Sequence, residues 1–317
     1  MADILFIKTS SLGDVIHHMP AVSDARRNRP QARIGWVVEE AFAPLVRLHR
    51  AVDSVVPVAS RRWRAAPLSA ATWSEIGAFR RAMRAQPHET VIDAQGLIRS
   101  ALIARFARGR RHGYDRDSVR ERAASWLYDE HHRVDRTLHA ITRNRMLTAQ
   151  ALGYAPDGPV DFGLDRATLM GEGPTREVVL LHATARREKE WPVANWIELA
   201  QSLAARGWEL VLPWGSEAER RRSLEIAAAA PNATVPDLQP LDQVARMIAR
   251  ASFVVGVDTG LLHVAAALGV PLAAIFIGTE PGQHGPLGAG KIEIAGTLGA
   301  MPSVADVRAA VDRIAGA

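Results

Sequence analysis

The stretch that decides the fold is Ile4-Leu-Phe-Ile-Lys-Thr-Ser-Ser-Leu-Gly-Asp14, close to the start of the sequence. Its apolar residues 4–7 predict a short buried strand, and the small polar residues after them predict a loop. A helical pattern then runs from Asp14 to about Asn28. A strand, a short loop and a helix in this order are typical of the opening of a doubly wound α/β sheet.

The same alternation of short apolar runs and helical patterns continues along the chain. In the first half, further strands are predicted at 34–38, 55–58 and 90–93, with helices at 73–86, 96–108 and 133–152. In the second half, strands are predicted at 177–182, 209–213, 253–257 and 272–276, with helices at 193–206, 216–230, 241–251, 260–268 and 304–317. Apolar strands between helices are typical of a parallel sheet covered on both faces, so the sequence predicts two doubly wound α/β halves in tandem.

A Pro- and Gly-rich stretch divides the two halves, from Tyr154-Ala-Pro-Asp-Gly-Pro159 to Gly171-Glu-Gly-Pro174. We therefore predict a first Rossmann-like domain at 1–155, a linker at 156–173 and a second Rossmann-like domain at 174–301. The final helix, about 302–317, could return to the first domain. A functional cleft is expected where the carboxyl ends of the strands of both halves face each other.

The composition is that of a soluble globular protein. Of the 317 residues, 48% are hydrophobic and 23% are charged, which excludes wholesale disorder. Cysteine is absent, which excludes disulfides, thiolate metal ligands and cysteine nucleophiles. The first apolar run is too short for a signal peptide, and no run reaches the roughly 18 residues that span a bilayer, so we expect a soluble or peripheral protein.

Charge is distributed unevenly along the chain. Residues 1–150 hold 25 Lys and Arg against 15 Asp and Glu, a net charge of +10, whereas residues 151–317 hold 14 against 19, a net charge of −5. Nearly all the cations are arginines, whose guanidinium groups bind phosphate and carboxylate bidentately. The first half is therefore predicted to meet an anionic partner, although a biased genome would also enrich arginine.

Asp14 is the first candidate site residue. Its loop, Lys8–Asp14, fits neither the dinucleotide-binding fingerprint nor the Walker phosphate loop. It still places backbone N–H groups and a carboxylate at a helix start, where Asp14 either caps the helix or acts as a base. Asp93-Ala-Gln-Gly96 repeats this arrangement after another strand, so two strand ends bring polar groups to one edge of the sheet.

Two stretches of the second half predict an anion site. Asp258-Thr-Gly-Leu-Leu-His263 follows a buried strand and opens an apolar helix, whose first N–H groups favour a phosphate. His263 is either a satisfied core residue or a donor to the same anion. His182–Pro192 carries Thr184 and three cations, which face either a diphosphate or solvent.

The remaining motifs are weaker. Arg61-Arg-Trp-Arg64 combines basic and aromatic residues, as nucleic-acid-binding surfaces do, but no docking module accompanies it, and a solvated face is the alternative. The adjacent histidine pairs, His17-His18 and His131-His132, lack metal-ligand spacing, and no serine-nucleophile motif is present. No metal site is therefore predicted.

Seven motifs follow one another in order along the chain, within a resemblance that runs from about residue 3 to about residue 280. They are Lys8-Thr-Ser-Ser-Leu-Gly-Asp14, Trp36-Val-Val-Glu-Glu40, Arg61-Arg-Trp-Arg64, Asp93-Ala-Gln-Gly-Leu97, His182-Ala-Thr184 with Lys189-Glu-Trp-Pro192, Leu212-Pro-Trp-Gly215 and Val257-Asp-Thr-Gly-Leu261. Together they closely resemble the lipopolysaccharide heptosyltransferases, ADP-heptose glycosyltransferases of family 9 with the GT-B architecture.

The resemblance implies an inverting transfer of L-glycero-D-manno-heptose from ADP-heptose to the inner Kdo of Kdo2-lipid A, at the cytoplasmic face of the inner membrane. It implies that Asp14 is the general base, that Lys189 neutralises the departing diphosphate, and that no metal or other cofactor is needed. The residues then assigned to the donor are Thr184, Ala185, Lys189, Glu219, Gln239, Asp258, Thr259, Gly260 and His263. Those assigned to the acceptor are Arg61, Arg62, Arg64, Arg120 and Gln95.

Two of these positions depart from the family pattern, and three other functions stay open. Ala185 stands where a second hydroxyl residue is common, and Gln239 stands where an apolar residue often meets the adenine. The alternatives are a sister enzyme that adds the second heptose, a non-catalytic nucleotide-sugar-binding protein, and a nucleic-acid-binding protein. The stretches Lys8–Asp14 and Arg61–Arg64 favour the enzyme that adds the first heptose.

Overall fold

The chain folds into two compact units, residues 1–164 and 165–317. The computed structural model describes residues 3–171, 175–184, 186–277, 282 and 285–315. The boundary between the units falls inside the stretch 156–173, for which a linker is predicted. Within the described residues, no helix combines the length and the apolar character that crossing a bilayer requires.

The first unit is a six-stranded parallel sheet with helices. Its strands are β1 (Asp3–Ile7), β2 (Arg33–Glu39), β3 (Ser54–Val58), β4 (Pro87–Asp93), β5 (Arg108–Tyr114) and β6 (Glu130–His132). Its helices are α1 (Leu12–Asn28), α2 (Ala43–Val46), α3 (Ser60–Ala65), α4 (Ala70–Ala85), α5 (Ile98–Ala104) and α6 (Ala140–Leu152). The strand order β3-β2-β1-β4-β5-β6 is the Rossmann order, as predicted.

The second unit repeats this topology. Its strands are β7 (Glu177–Leu181), β8 (Glu209–Val211), β9 (Ala233–Thr234), β10 (Phe253–Val257), β11 (Leu272–Ile275) and β12 (Ile292–Ala295). Its helices are α7 (Arg166–Met170), α8 (Val193–Ala205), α9 (Glu217–Ala227), α10 (Leu241–Arg250), α11 (Gly260–Ala267) and α12 (Val304–Ala315). The order β12-β11-β10-β7-β8-β9 is the same as that of the first sheet, with β7 in the place of β1.

The helix predicted at 96–108 is wrong beyond Ala104, because the chain enters strand β5 instead. This strand is Arg-Gly-Arg-Arg-His-Gly-Tyr, and its polar composition hides it from a hydrophobicity pattern. Two of its arginines form ion pairs with residues at the start of the neighbouring strand β6: Arg111 binds Asp129 at 2.5 Å, and Arg110 binds Glu130. The helix predicted at 133–152 likewise begins only at Ala140.

Helix α12 belongs to the second unit. It packs against β11, β12 and α8. Its apolar side chains, with Val307 and Val311 fully buried, join the core around Trp191 and Trp196. The spacing of these apolar residues predicts the helix, but it does not indicate which sheet the helix covers.

Each sheet has one topological switch point, on either side of which successive strands are added in opposite directions. It lies between β1 and β4 in the first sheet and between β7 and β10 in the second. Ligands of doubly wound sheets bind outside the carboxyl ends of the strands at such a point. The loops that follow these four strands are therefore where a site is expected, and they carry most of the candidate residues.

Candidate active site

Asp14 follows β1 as the third residue of α1. Its Oδ2 accepts hydrogen bonds from the backbone N–H of Ser11 at 2.9 Å and from the Ser11 hydroxyl at 3.1 Å. The N-cap of α1 is Ser11 and not Asp14, because the helix begins at Leu12; Asp14 stabilises the helix start as the third residue of a capping box. Within the part of the chain that the structure describes, its second oxygen, Oδ1, accepts no hydrogen bond, so the carboxylate retains an oxygen that can accept a proton.

The charge state of Asp14 is set mainly by burial and by Lys8. Burial alone raises the pKa of the carboxyl, but the positive charge of Lys8 and the two hydrogen bonds from Ser11 outweigh it. Arg120, which is exposed, adds a further positive charge. The pKa of Asp14 therefore lies below its ordinary value, and the side chain is ionised at neutral pH.

Lys8 is itself a buried cation. It is 7% exposed, and its Nζ donates to the carbonyl oxygen of Ala94 at 2.8 Å. Burial lowers its pKa, while the carboxylates of Asp14 and Asp93 raise it in part. Lys8 therefore joins the loop that follows β1 to the loop that follows β4, and its charge acts on the candidate base.

Asp93 and Gln95 hold these two loops in shape. The carboxylate of Asp93 is fully buried and accepts four hydrogen bonds, from the N–H groups of Gln95 and Gly96 and from the hydroxyls of Ser100 and Tyr128. Burial raises the pKa of Asp93, against the effect of these donors. Gln95 in turn accepts from the N–H groups of residues 9 and 10 through Oε1, at 3.1 and 3.2 Å. The side-chain oxygen of Gln95 therefore already accepts two backbone hydrogen bonds, and the assignment of Gln95 to the acceptor stays a prediction.

The arginines of α3 differ in their partners. Glu39 holds the start of this helix by accepting from the Ser60 hydroxyl at 2.7 Å and from the Arg61 N–H at 2.9 Å. Arg62 is bound by Glu40 at 3.1 Å and by Glu75 at 2.7 Å. Arg61 and Arg64 form no ion pair within the described residues, and the Arg61 guanidinium lies 5.4 Å from the ring centre of Phe42. Arg62 is therefore poorly suited to bind an anionic ligand, contrary to its assignment.

Arg99 is a candidate that the sequence analysis missed. It is half-buried in the first turn of α5, and its Nε is buried without a hydrogen-bond partner in the described structure. Burial and the nearby charges of Arg64 and Arg61 lower its pKa, although Glu39 and Glu121 oppose this in part. The signal in the sequence is its position three residues after Gly96, at a helix start beside a strand end. Arg61, Arg64 and Arg99 therefore form a cationic cluster in the first unit.

In the second unit, Lys189 and Asp258 join the loops that follow β7 and β10. Lys189 Nζ lies 2.5 Å from Asp258 Oδ2, and the two side chains are only 15% and 14% exposed. The Thr184 hydroxyl donates to the Asp258 carbonyl oxygen at 3.2 Å. The structure thus brings together three predicted donor residues, with Asp258 orienting the loop. Ala185 lies outside the described residues.

The start of α11 lies directly after Asp258, next to the ion pair with Lys189. Thr259 is its N-cap in an extended conformation, and Gly260 is its first helical residue. The first N–H groups of a helix have no partner within the helix, and the helix dipole makes this end positive. His263, in the first turn, is 7% exposed. An anion beside Lys189 would therefore meet both an ammonium group and a helix start.

Glu219 and Gln239 follow the neighbouring strands β8 and β9. Glu219 Oε2 accepts from the N–H of Gly215 at 2.7 Å, and its own N–H donates to the Ser216 hydroxyl at 3.3 Å. Trp214 Nε1 donates to the carbonyl oxygen of Pro236 at 2.7 Å, which ties the two loops together. Gln239 is half-buried in the second of them. The assignment of Glu219 and Gln239 to the donor stays a prediction.

No group of three or more His, Asp or Glu side chains in the described residues has the geometry of a metal site. His182 illustrates why the histidines do not provide one. It is fully buried after β7, where Nε2 lies 2.7 Å from the Ser223 hydroxyl. Burial and the charge of Arg222 lower its pKa to about 4, so it is a neutral structural residue.

Comparison with known proteins agrees with this arrangement. The sequence model of glycosyltransferase family 9 (heptosyltransferase) matches residues 76–310. Lipopolysaccharide heptosyltransferase 1 of Salmonella typhimurium is 43% identical over 296 residues, which is 92% of this chain and 93% of that protein. Two solved structures of the E. coli heptosyltransferase WaaC, with ADP and with ADP-2-deoxy-2-fluoro heptose, superpose with TM-scores of 0.92 and 0.89 at 39% and 38% identity, each covering 98% of this chain and 99% of the other.

These matches extend over both units and confirm the predicted GT-B fold class. Identity of this order over nine-tenths of both chains is far beyond a likeness of fold alone. The chain belongs to glycosyltransferase family 9, the heptosyltransferases.

Proposed function

We propose that the protein transfers L-glycero-D-manno-heptose from ADP-heptose to the inner Kdo of Kdo2-lipid A, with inversion at the anomeric carbon. The observation that carries the proposal is Asp14, an ionised carboxylate held at the switch point of the first sheet with one oxygen unoccupied. The WaaC structures that this chain resembles contain ADP and an ADP-heptose analogue, which supports the choice of donor.

Lys189 and the start of α11 are suited to hold the diphosphate of the donor. An ammonium group has three N–H donors, of which one binds Asp258, so two are available to phosphate oxygens. As the bond between the heptose anomeric carbon and the diphosphate oxygen breaks, negative charge grows on the leaving ADP. Lys189 and the helix start stabilise this charge, so the proposed mechanism needs no divalent metal.

Asp14 is suited to activate the acceptor. The oxygen of the Kdo hydroxyl forms a bond to the anomeric carbon on the face opposite the leaving ADP, and its proton passes to Asp14. A carboxylate with a lowered pKa is a weak base towards a resting hydroxyl. It becomes adequate because the hydroxyl grows far more acidic as the new bond forms.

The cationic cluster of Arg61, Arg64 and Arg99, together with Arg120, is suited to the anionic groups of the acceptor. Kdo carries carboxylates and lipid A carries phosphates, and both groups match the bidentate geometry of guanidinium. We therefore expect Arg99→Gln to raise the KM for the acceptor about tenfold while the KM for ADP-heptose stays constant. Arg62→Gln is the matched control, because Glu40 and Glu75 already bind that side chain. Equal KM effects of the two substitutions would contradict the assignment.

The proposed reaction is tested by release of ADP from ADP-heptose in the presence of Kdo2-lipid A, with and without a chelator. Acceptance of Kdo2-lipid A that already carries one heptose, and rejection of the bare acceptor, would instead identify a transferase for the second heptose. Binding of ADP-heptose by calorimetry without its consumption would identify a binding protein. A lipid acceptor of this kind also places the enzyme at the cytoplasmic face of the inner membrane in this proposal.

A further inference from the structure

One corner of the first unit exposes large apolar side chains on the turn and the helix that follow α3. Leu68, in the turn before α4, is 96% exposed, and Trp73, in the first turn of that helix, is 64% exposed. Trp73 Nε1 donates to the carbonyl oxygen of Pro67 at 3.0 Å, so the indole lies against the turn that carries Leu68. An indole with a satisfied N–H and an exposed ring is suited to a boundary between water and an apolar phase.

The outer face of α4 continues this surface with positive charge. Residues at spacings of four, seven and eleven from Trp73 lie within about 60° of one another on a helix; they are Gly77, Arg80 and Arg84. Arg81 lies beside this stripe. The inner face of the helix is buried and consists of Thr72, Phe79 and Met83. Helix α4 is therefore amphipathic, with an outer face that is apolar at its beginning and basic in its last two turns.

The arginines of this face have no acidic partners in the part of the chain that the structure describes. Within the described residues, none of Arg80, Arg81 and Arg84 forms an ion pair. The Arg80 guanidinium lies 5.4 Å from the ring centre of Phe106, which holds it at the surface. Arg62, on the preceding helix, is by contrast neutralised by two glutamates. The positive charge of the outer face is thus available to an external anion.

We propose that this surface, the α4 face formed by Leu68, Trp73, Arg80, Arg81 and Arg84, docks on an anionic lipid bilayer. Leu68 and Trp73 enter the interface between headgroups and acyl chains, and the arginines bind lipid phosphates. A second copy of the chain is a poorer occupant, because a two-fold contact would bring the same arginines of both copies together. The inference rests on the proposed function only in that a lipid acceptor requires the enzyme to approach a membrane.

Cosedimentation with vesicles tests the α4 face without any acceptor or donor. The intact protein is expected to bind phosphatidylcholine vesicles that contain phosphatidylglycerol, and to bind pure phosphatidylcholine vesicles much less. Arg81→Gln and Arg84→Gln should each weaken binding about fivefold, and this loss should disappear at high salt. Leu68→Ser with Trp73→Ser should weaken binding about tenfold at any salt concentration.

Two controls remove the same types of side chain from other parts of the first unit. Arg133→Gln with Arg136→Gln removes two exposed arginines beyond β6, at the opposite edge of the sheet from β3. Trp126→Ser removes a tryptophan that is 75% exposed elsewhere in the unit. The inference is overturned if the intact protein does not bind anionic vesicles, if the controls lose as much binding as the α4 variants, or if Leu68 and Trp73 instead support a concentration-dependent dimer.

The vesicle experiment and the proposed function fail separately. Transfer to a short-chain acceptor that is soluble in water should be unchanged in the α4 variants, because none of these residues belongs to the candidate site. If the wild-type protein catalyses transfer but does not bind anionic vesicles, only the proposal of a docking surface is refuted. If the protein binds anionic vesicles but catalyses no transfer, the proposal of a docking surface stands and the proposed reaction is refuted.

Discussion

Replacement of Asp14 separates its structural role from its chemical role. The carboxylate stabilises the start of α1 through two hydrogen bonds from Ser11, and it is also the group proposed to take the proton of the acceptor. Asn at this position keeps an oxygen for the Ser11 N–H but cannot accept a proton at neutral pH. We therefore predict that Asp14→Asn keeps the fold and loses the reaction.

The two roles differ in magnitude. Ser11 is exposed, so water replaces the lost partner when Asp14 becomes Ala, and the unfolding free energy should fall by only about 1 kcal/mol. Asp14→Asn should cost less than this. Loss of a general base slows turnover by about 10²- to 10⁴-fold, which is about 3 to 5 kcal/mol in the activation barrier.

Three measurements on the same variants check the prediction. The kcat for ADP release should fall at least a hundredfold in Asp14→Asn, the Kd for ADP-heptose should change less than about threefold, and the urea midpoint should move little. Ser11→Ala is the control, because it removes one hydrogen bond to Asp14 and leaves the base in place. If Asp14→Asn retained turnover close to that of Ser11→Ala, Asp14 would be a residue of the capping box only.

Three further predictions concern charge at the two switch points. Lys8→Met removes the cation that lowers the pKa of Asp14, so that pKa rises and the acid limb of the pH profile of kcat/KM moves to higher pH; an unmoved limb would show that Lys8 does not act on the base. Lys189→Met should lower kcat about 10²- to 10³-fold. Asp258→Asn removes the orienting partner but keeps the ammonium group, so it should lower kcat less and reduce the unfolding free energy by about 1–2 kcal/mol. Kinetics and urea titration of both variants check this order. Exhaustive treatment with a chelator should leave the rate of ADP release unchanged, and restoration of a lost rate by a divalent cation would contradict the proposed leaving-group mechanism.

The sequence predicts the centre of each sheet better than its edges. The central strands β1, β7 and β10 are runs of buried apolar residues, and β4 contains the buried pair Val91 and Ile92, so a hydrophobicity pattern detects all four. The four strands that it misses, β5, β6, β9 and β12, lie at or next to a sheet edge. There the side chains reach solvent and the strands are short or polar, so no apolar run marks them.

The candidate site divides in a similar way. The loops after the central strands are predicted because a strand that stops at small polar residues is a local signal, and Asp14, Thr184 and Asp258 lie where that signal places them. The properties that depend on neighbours in space are missed. Arg62 contacts Glu40, which follows β2, and Glu75 on α4. Arg99 on α5 lies near the charges of α3. Each arrangement brings together separate segments, so no single stretch of sequence encodes it.

The partners of the arginines also decide what the positive charge of the first half means. A biased genome raises the number of arginines without regard to position, and many of them are simply neutralised: Arg33 binds Asp3 at 2.5 Å, and Arg145 binds Asp24 at 2.6 Å. Arg99 is different, because it lies near other arginines, is partly buried, and has an Nε that finds no hydrogen-bond partner among the described residues. Like charges held together in this way raise the free energy of the unliganded protein, and a bound carboxylate or phosphate lowers it. The number of arginines therefore indicates little about function. The cluster of Arg61, Arg64 and Arg99, which forms no ion pair with the described residues, is where we expect the proposed anionic acceptor to bind.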